Sequence, residues 1–306
     1  MGILKANIQL FSLAKKQYNK IFIGDTLVIS QQAVYASLNE ALQILKRNKI
    51  DIKELPKNFD TKNKIPDWEN SNKRNNINAS ALFSLLGAEN VKCCDVSDYE
   101  NPDFIIDLNY EIDKKYHNSF DNIIDIGTLE HIFNVNTALK NMIKMLRVNG
   151  FLIISTPSSN MIDHGFYSFS PTLFYDFLSI NGFEIKKCFL RESSPYIYEN
   201  KSSLYEYQNQ GIEIPFMSSK SVEFTVIAKK ITEVEKYIIP NQSIYAKNKL
   251  WNGVQIIKSK KRNKLITLLR NYLRLILMNK HIPFFIHKHY FRYIRGKNIK
   301  KIGGKY

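Results

Sequence analysis

The stretch 119–157 constrains the fold more than any other part of this chain, because it predicts a strand, a loop, a helix, a turn and a second strand within about 40 residues. The apolar run Asn122–Ile126 predicts a strand buried on both faces. Apolar residues then recur at helical spacing over Ala138–Leu146, Asn149-Gly150 is suited to end that helix, and Phe151–Ser155 predicts the second strand. Two strands joined by a helix form a βαβ unit, which requires a parallel sheet with a right-handed crossover.

Residues that follow each predicted strand are the first candidates for a site, because ligands of parallel sheets bind beyond the carboxyl ends of the strands. The polar segments Gly127–His131 and Thr156–His164 follow the two strands of the βαβ unit. An earlier buried strand, Asp25–Ser30, runs into the polar turn Ser30–Tyr35, which contains no glycine.

Acids follow two further predicted strands. Val91–Cys94 is followed by Asp95, and Phe104–Ile106 by Asp107. A carboxylate at a strand end can accept hydrogen bonds from both hydroxyls of a ribose, and a second carboxylate can accept one from the exocyclic amine of an adenine. This pattern predicts a nucleoside-binding sheet, although a single acid after a strand is also typical of a solvated turn.

The remaining periodic segments complete an α/β fold. Helices are predicted at Leu38–Arg47, Ala79–Leu86 and Pro171–Ile180, and strands at Phe183–Leu190 and Val222–Lys229. The last two strands are expected to form an antiparallel hairpin at a sheet edge. The expected fold is a doubly wound, mostly parallel sheet over residues 1–235, with residues 236–306 as a basic, aromatic-rich helical tail.

The formal charge of +16 lies entirely in the tail. Residues 249–306 hold 16 of the 44 Lys and Arg side chains and no Asp or Glu, so the 28 basic and 28 acidic side chains of residues 1–248 balance. Lys264–Met278 has a broad apolar face, which favours an amphipathic helix on an anionic membrane surface, with residues 250–306 as the contact. A helix packed on the body or a partner, and nucleic-acid binding through cations interleaved with aromatics, are the alternatives.

Three cysteines, Cys93, Cys94 and Cys188, are too few and too unevenly spaced for a disulfide framework or a zinc site, and predict a reducing cytoplasm. The sequence has no apolar run long enough to span a bilayer. The acids Asp98, Glu100 and Asp103 have no histidine near them in the sequence, so they predict a solvated loop, and no metal site is expected. The protein is therefore predicted to be cytoplasmic, at the inner membrane face if the tail binds lipid.

Taken together, these segments resemble class I S-adenosylmethionine-dependent methyltransferases, and specifically a divergent bacterial methyltransferase-like subgroup. FDNIIDIGTLEHIFNVNTALKNMIKMLRVNGFLIISTP resembles the family's fourth strand, its Leu-Glu-His loop, the following helix and the turn before the fifth strand. TLVISQQAVYAS, GAENVKCCDVSDYE and HGFYSFSPTLFYDF occur in the same order as in that subgroup. The similarity covers about Thr26–Lys229.

The resemblance implies a seven-stranded sheet that binds S-adenosylmethionine across its strand ends. It implies that Ser30, Gln31 and Gln32 lie against the methionine part, Asp95 near the ribose, Asp107 near the adenine and Gly127 beside the sulfonium, with Glu130 also among the cofactor contacts. The family usually has a glycine-rich turn in place of Ser30–Gln32. Binding there would have to use side-chain amides.

Histidines and aromatic residues are the candidates for the chemistry of methyl transfer. His131 and His164 can each accept a proton at neutral pH. For His131, general base is one role. The alternatives are substrate contact or, together with Glu130, capping of the following helix or bonding to nearby backbone. His164 and Tyr167, with Phe169, could wall a substrate pocket or form a packed cover over the sheet.

The function expected from the resemblance is methyl transfer to a small molecule or a sugar-containing precursor. The alternative is a catalytically inactive methyltransferase-like scaffold that attaches through its basic tail to a membrane or a partner. Nucleic-acid methylation is less favoured, because the sequence lacks an N/D-P-P-Y-type motif.

Overall fold

The computed structural model describes residues 2–62, 75–193, 202–208, 216, 218–243 and 299–302. Its helices are α1 (Lys5–Gln17), α2 (Leu38–Arg47), α3 (Ala79–Leu86), α4 (Val135–Met145) and α5 (Pro171–Ile180). Its strands are β1 (Gly24–Ile29), β2 (Ala33–Ser37), β3 (Asn76–Asn78), β4 (Ala88–Asp95), β5 (Phe104–Ile105), β6 (Phe120–Ile126), β7 (Leu146–Ser159), β8 (Phe183–Ser193), β9 (Ser203–Tyr207), β10 (Ser221–Lys230) and β11 (Ile299–Ile302).

One large sheet has the strand order β11-β9-β8-β10-β7-β6-β1-β4-β5, and β2 pairs with β3 in a separate small sheet. The strands from β7 to β5 in this order are parallel. The strands β10, β8, β9 and β11 are antiparallel. The predicted doubly wound α/β sheet is confirmed, as is the β8–β10 hairpin. The predicted count of seven strands is wrong, because β9 and β11 add two strands at one edge.

Apolar cores cover both faces of the sheet. Val28 of β1 and Ile124 of β6 belong to the core that includes α1, α2 and α3. Their neighbours Leu27 and Ile123 belong to the core that includes α4 and α5. Because successive side chains of a strand point to opposite faces, a central strand buried on both sides is mostly apolar, and the buried exceptions in β6 are Asn122 and Asp125.

The prediction that a turn at Asn149-Gly150 ends the helix is wrong. Helix α4 ends at Met145, and β7 begins at once with Leu146. Asn149 adopts φ +72° inside β7, at the point where the pairing with β6 changes register. A Cβ on Gly150 would lie 2.7 Å from the carbonyl oxygen of Asp121, so the two residues shape an irregularity in the strand rather than a helix end.

The polar turn predicted at Ser30–Tyr35 is shorter than expected. Strand β2 begins at Ala33, and its residues Val34 and Ala36 are fully buried. Buried and half-buried side chains alternate over these five residues, as they do in a strand with one covered face.

The predicted tail falls mostly outside the described residues, and so do the helix and membrane surface predicted for it. The described part, Ile299–Ile302, is β11, which pairs antiparallel with β9. Near the start of the predicted tail, Ser243 contacts the body, since Asp176 of α5 accepts a hydrogen bond from its backbone N–H at 2.9 Å. Among the helices that the structure describes, none combines the length and the apolar character that a bilayer crossing requires.

A buried asparagine of α4 holds the segment that connects β5 to β6. The Asn141 side-chain amide donates to the carbonyl oxygens of Leu108 at 3.3 Å and Tyr110 at 2.7 Å. Its oxygen accepts the N–H of Ile112 at 3.3 Å. Asn141 is fully buried, and its hydrogen bonds to Leu108 and Ile112 are buried with it, so these two backbone groups have no ready access to water as a substitute partner.

We expect Asn141→Ala to lower the free energy of unfolding by about 2–4 kcal/mol, since it leaves buried backbone groups unpaired. Urea unfolding followed by circular dichroism measures this loss. The control is Asn136→Ala, which alters an exposed asparagine of the same helix and should change the free energy by less than about 0.5 kcal/mol. Equal effects of the two variants would show that the Asn141 hydrogen bonds are not what stabilises the segment.

Candidate functional site

A cavity of about 350 Å³ opens at the carboxyl ends of β1, β4, β5 and β6. It lies where the strand order reverses between β1 and β6, which is the ligand-binding position of doubly wound sheets. The predicted site residues that line it are Ser30, Gln31, Gln32, Asp95, Asp107, Gly127 and His131. The predicted residues Glu130, His164 and Tyr167 are not among its lining residues.

Side-chain hydrogen bonds shape the turn after β1, at the position where the methyltransferase family usually has a glycine-rich turn. Ser30 adopts φ +61°, and its hydroxyl donates to Oδ2 of Asp95 at 2.6 Å. The buried Gln32 folds back so that its amide nitrogen donates to the carbonyl oxygen of Ile29 at 3.0 Å. Its Oε1 is buried without a hydrogen-bond partner among the described residues. The turn thus offers an unused acceptor beside the cavity.

The acids at the ends of β4 and β5 are both half-exposed and held by local hydrogen bonds. Asp95 also accepts the N–H of Ser97 at 3.3 Å. Oδ1 of Asp107 accepts the backbone and side-chain N–H groups of Asn109, each at 2.9 Å. Since each carboxylate oxygen carries two lone pairs, both acids retain capacity to accept hydrogen bonds from a ligand.

A buried carboxyl group fixes the loop after β6. Asp125 accepts the backbone N–H groups of Thr128 at 2.8 Å and Leu129 at 3.2 Å. The Thr128 hydroxyl donates to the carbonyl oxygen of Ile29 at 3.2 Å and lies 3.4 Å from the amide nitrogen of Gln32. Burial raises the pKa of Asp125 to about 6, although the two N–H donors act in the opposite direction. These bonds join the loops that follow β1 and β6.

Glu130 lies behind the cavity wall, in the short 3-10 helix Leu129–His131. Its side chain is fully buried, and neither carboxyl oxygen accepts a hydrogen bond from another residue that the structure describes. Burial, and next the nearby Asp125, raises the pKa of Glu130 to about 8. The alternative that Glu130 and His131 cap the following helix is wrong, because Asn134 caps α4 by accepting the N–H of Thr137.

The two candidate histidines lie together at the edge of the cavity. The ring centroids of His131 and His164 are 5.1 Å apart in an edge-to-face arrangement. Nε2 of His164 lies 3.5 Å from Oε1 of Glu130. Burial lowers the pKa of both histidines, and for His131 the neighbouring His164 lowers it further. Both shifts favour the neutral imidazole.

The aromatic loop that follows His164 packs mainly on the protein itself. The Tyr167 hydroxyl donates to the carbonyl oxygen of Phe133 at 2.9 Å, and its ring stacks on Phe169 with centroids 5.6 Å apart. Phe169 is buried against Phe174 of α5. These contacts favour the interpretation of this loop as a cover over the sheet.

Sequence reasoning missed several lining residues. These are Ile29, Cys94, Val96, Ile106, Leu108, Asn109, Thr128 and Ile132. Most are strand-end apolar residues that the strand prediction could have assigned to the cavity, because they adjoin the predicted acids. Burial raises the pKa of the Cys94 thiol to about 12, so it does not supply a thiolate nucleophile at neutral pH.

Comparison with known proteins gives weak similarities to solved structures. No family model matches the sequence, and no curated protein sequence matches it. A proposed methyltransferase of Bacillus halodurans C-125 is 10% identical, with 72% of this chain and 99% of that chain covered and a TM-score of 0.40. The 1,6-didemethyltoxoflavin-N1-methyltransferase of Burkholderia thailandensis, solved with S-adenosylhomocysteine, is 10% identical, with 74% and 78% covered and a TM-score of 0.34.

A third similar structure is the branched-chain polyamine synthase of Thermus thermophilus, solved with 5'-methylthioadenosine. It is 9% identical, with 79% of this chain and 60% of that chain covered and a TM-score of 0.38. At these identities and scores, the similarities carry no inference about activity. The function proposed below therefore rests on the residues of the site.

We expect the stability of the wild-type protein to depend on the ionisation of Asp125. Because the folded-state pKa is raised from about 4 to about 6, folding disfavours the charged form, and stability falls as pH rises through this window. Ionisation of Asp125 lowers the free energy of unfolding by about 3 kcal/mol, and this contribution is fully lost above about pH 6. Asp125→Asn, which cannot ionise, should lose about 3 kcal/mol less than wild type over this window, and both retain the decline that the raised pKa of Glu130 causes. The exposed Asp98→Asn should show the full wild-type decline. Urea unfolding at a series of pH values tests this, and parallel curves for wild type and Asp125→Asn would contradict it.

Proposed function

We propose that the chain is an S-adenosylmethionine-dependent methyltransferase that acts on a small molecule or a sugar-containing acceptor. The observation that carries the proposal is the placement of Asp95 and Asp107, at the ends of two neighbouring parallel strands, beside one cavity at the reversal of strand order. A nucleoside needs acceptors for its ribose hydroxyls and its exocyclic amine, and this pair of acids supplies them at adjacent positions.

The other lining residues fit the remaining parts of this cofactor. The cavity volume of about 350 Å³ falls within the usual range for small-molecule sites. Ile106 and Leu108 offer apolar surface for the faces of a purine ring. The buried, unpartnered Oε1 of Gln32 could accept a hydrogen bond from an ammonium group such as that of the methionine part.

The cofactor supplies an electrophilic methyl group on a sulfonium, and transfer of that methyl to the acceptor leaves a neutral thioether. The protein must hold the acceptor atom in line with the methyl group at about 3 Å and exclude competing water. His131 lines the cavity, which supports a role for it in contacting the acceptor, and burial lowers its pKa. Its predicted role as general base stays a prediction, as do the catalytic roles predicted for His164 and Tyr167.

We expect Asp95→Asn to weaken binding of S-adenosylhomocysteine, the demethylated product, by about 10–100-fold, because a neutral amide replaces a charged acceptor. Isothermal titration calorimetry with the full chain measures this. The matched control is Asp98→Asn, which removes the same charge three residues away at an exposed position and should leave affinity unchanged.

Two calorimetric outcomes would contradict the proposal. Absence of heat with folded wild-type protein would favour the alternative function, an inactive methyltransferase-like scaffold. An equal loss in Asp95→Asn and Asp98→Asn would mean that the loop charge, rather than a contact at Asp95, affects binding.

The same proposal includes attachment of the basic tail to an anionic membrane surface. Its support is the sequence of Lys264–Met278, in which the spacing of Leu and Ile predicts a helix with a broad apolar face and with Arg at polar positions. Each cation near such a surface contributes about 1 kcal/mol of attraction. This segment lies outside the described residues.

We expect the double substitution Leu269→Glu with Leu273→Glu to abolish co-flotation of the full chain with phosphatidylserine vesicles, since charge on the apolar face opposes insertion. The control, Thr267→Glu with Asn271→Glu, makes the same change of charge on the polar face and should reduce flotation only partly. Flotation that is lost equally in both variants would point to an electrostatic contact without insertion. Wild-type protein that does not float would refute the membrane role.

A further inference from the structure

We propose that Glu130, His131 and His164 form a binding site for a divalent transition-metal ion. One ligand atom from each of these residues lies within 4.8 Å of the other two. Two imidazoles and one carboxylate on one side of an ion are a known ligand set for divalent metals that keep open coordination positions. The sequence did not suggest this site, since Glu130 and His164 are far apart along the chain.

The distances are compatible with coordination after small side-chain movements. Ligand atoms about 2.1 Å from a tetrahedral ion lie about 3.4 Å from one another. Nε2 of His164 and Oε1 of Glu130 are 3.5 Å apart, which is close to that separation. His131 is the exposed member of the set, so its ring has room to rotate toward the other two ligand atoms.

Burial of an unpaired acid is the second observation that points to a ligand. Glu130 is 0% exposed, and both its carboxyl oxygens lack hydrogen-bond partners within the described part of the chain. Nε2 of His164 is likewise buried and unpartnered. Burying three polar atoms at one place without hydrogen bonds lowers the stability of the fold. A bound cation would interact with all three atoms and offset this cost.

A backbone contact holds the loops that carry Glu130 and His164 against each other. The N–H of Phe166 donates to the carbonyl oxygen of Glu130 at 2.8 Å, which fixes the loop after β7 against the loop after β6. Gly165 adopts φ +75° between His164 and that contact. A Cβ at Gly165 would lie 2.8 Å from the same carbonyl oxygen, so only glycine permits this approach.

The chemistry of the ligands favours Zn²⁺, Mn²⁺, Fe²⁺ or Co²⁺ over Mg²⁺ or Ca²⁺, because imidazole nitrogen is a ligand for transition metals, whereas Mg²⁺ and Ca²⁺ prefer oxygen. His131 lines the cavity described above, so an open position on the ion would face it. An acceptor hydroxyl bound there would have a lowered pKa and would lose its proton to water before receiving the methyl group. This role, unlike metal binding itself, rests on the proposed methyl transfer.

The burial of Glu130 without hydrogen-bond partners has a competing explanation that requires no ion. In this explanation, the carboxyl group is uncharged and is enclosed by apolar side chains. The two explanations differ in whether the purified full chain binds a metal. Co²⁺ is a suitable probe, because its visible absorption reports imidazole and carboxylate coordination directly and needs neither cofactor nor acceptor.

We expect chelator-treated wild-type protein to bind one equivalent of Co²⁺ with a visible absorption band, and Zn²⁺ to displace it. Glu130→Gln and His164→Ala should each weaken Co²⁺ binding at least 100-fold, because each removes one of three ligands. His117→Ala is the matched control, since His117 lies outside the cluster, and it should bind as wild type does. Thermal unfolding of each variant confirms that it is folded.

Wild-type protein without a Co²⁺ band, or His164→Ala with wild-type affinity, would overturn the proposal. His164 is partly exposed, so its truncation is compatible with folding even if Glu130→Gln is not. S-adenosylhomocysteine binding is measured separately on the same samples. Wild-type protein that binds S-adenosylhomocysteine but not Co²⁺ would refute the metal site alone, and wild-type protein that binds Co²⁺ but not S-adenosylhomocysteine would refute only the proposed methyl transfer.

Discussion

The parallel pairing of β1 with β6 is the interaction on which the candidate site depends. Thr26–Ile29 pairs in register with Asn122–Asp125, so both strands end at the same edge of the sheet. The fully buried Asn122 secures this pairing, because its oxygen accepts the N–H of Phe22 at 3.0 Å and its amide donates to the carbonyl oxygen of Ile23 at 2.9 Å. The connections after β1 and β6 then diverge to opposite sides, and the crevice between them becomes the cavity.

The turn after β1 shows how a site of this geometry forms without the expected glycines. A non-glycine residue in the left-handed region costs about 1–2 kcal/mol. The hydrogen bond from the Ser30 hydroxyl to the Asp95 carboxylate contributes about 1.5–3 kcal/mol, which is enough to offset that cost. Ser30 thus supplies both the backbone conformation and the link between two cavity walls. The absence of glycine in this turn is therefore no argument against a ligand.

Local signals in the sequence predicted the sheet and one side of the site. The apolar run of β6 and the acids Asp95 and Asp107 are recognisable because strand periodicity and strand-end polarity depend only on neighbouring residues. The irregularity at Asn149 and the edge strand β11 depend on pairing with distant strands. The contact of Glu130 with His164 depends on two loops that meet only in the folded chain. The sequence placed both loops after strands of one βαβ unit, but it did not predict that these two side chains meet. Spacing along the chain could not reveal that cluster.

Coordination and proton acceptance are mutually exclusive roles for the histidines of this cluster. A neutral imidazole has one nitrogen lone pair, which binds either a metal ion or a proton. His131 as general base requires that lone pair to face the acceptor, whereas His131 as ligand directs it toward Glu130 and His164. An ion held by this cluster would itself acidify the acceptor hydroxyl, so that no side chain of the cavity would have to remove its proton. The buried carboxyl group of Glu130, which has no function in the base mechanism, then gains one as the anionic ligand of the ion.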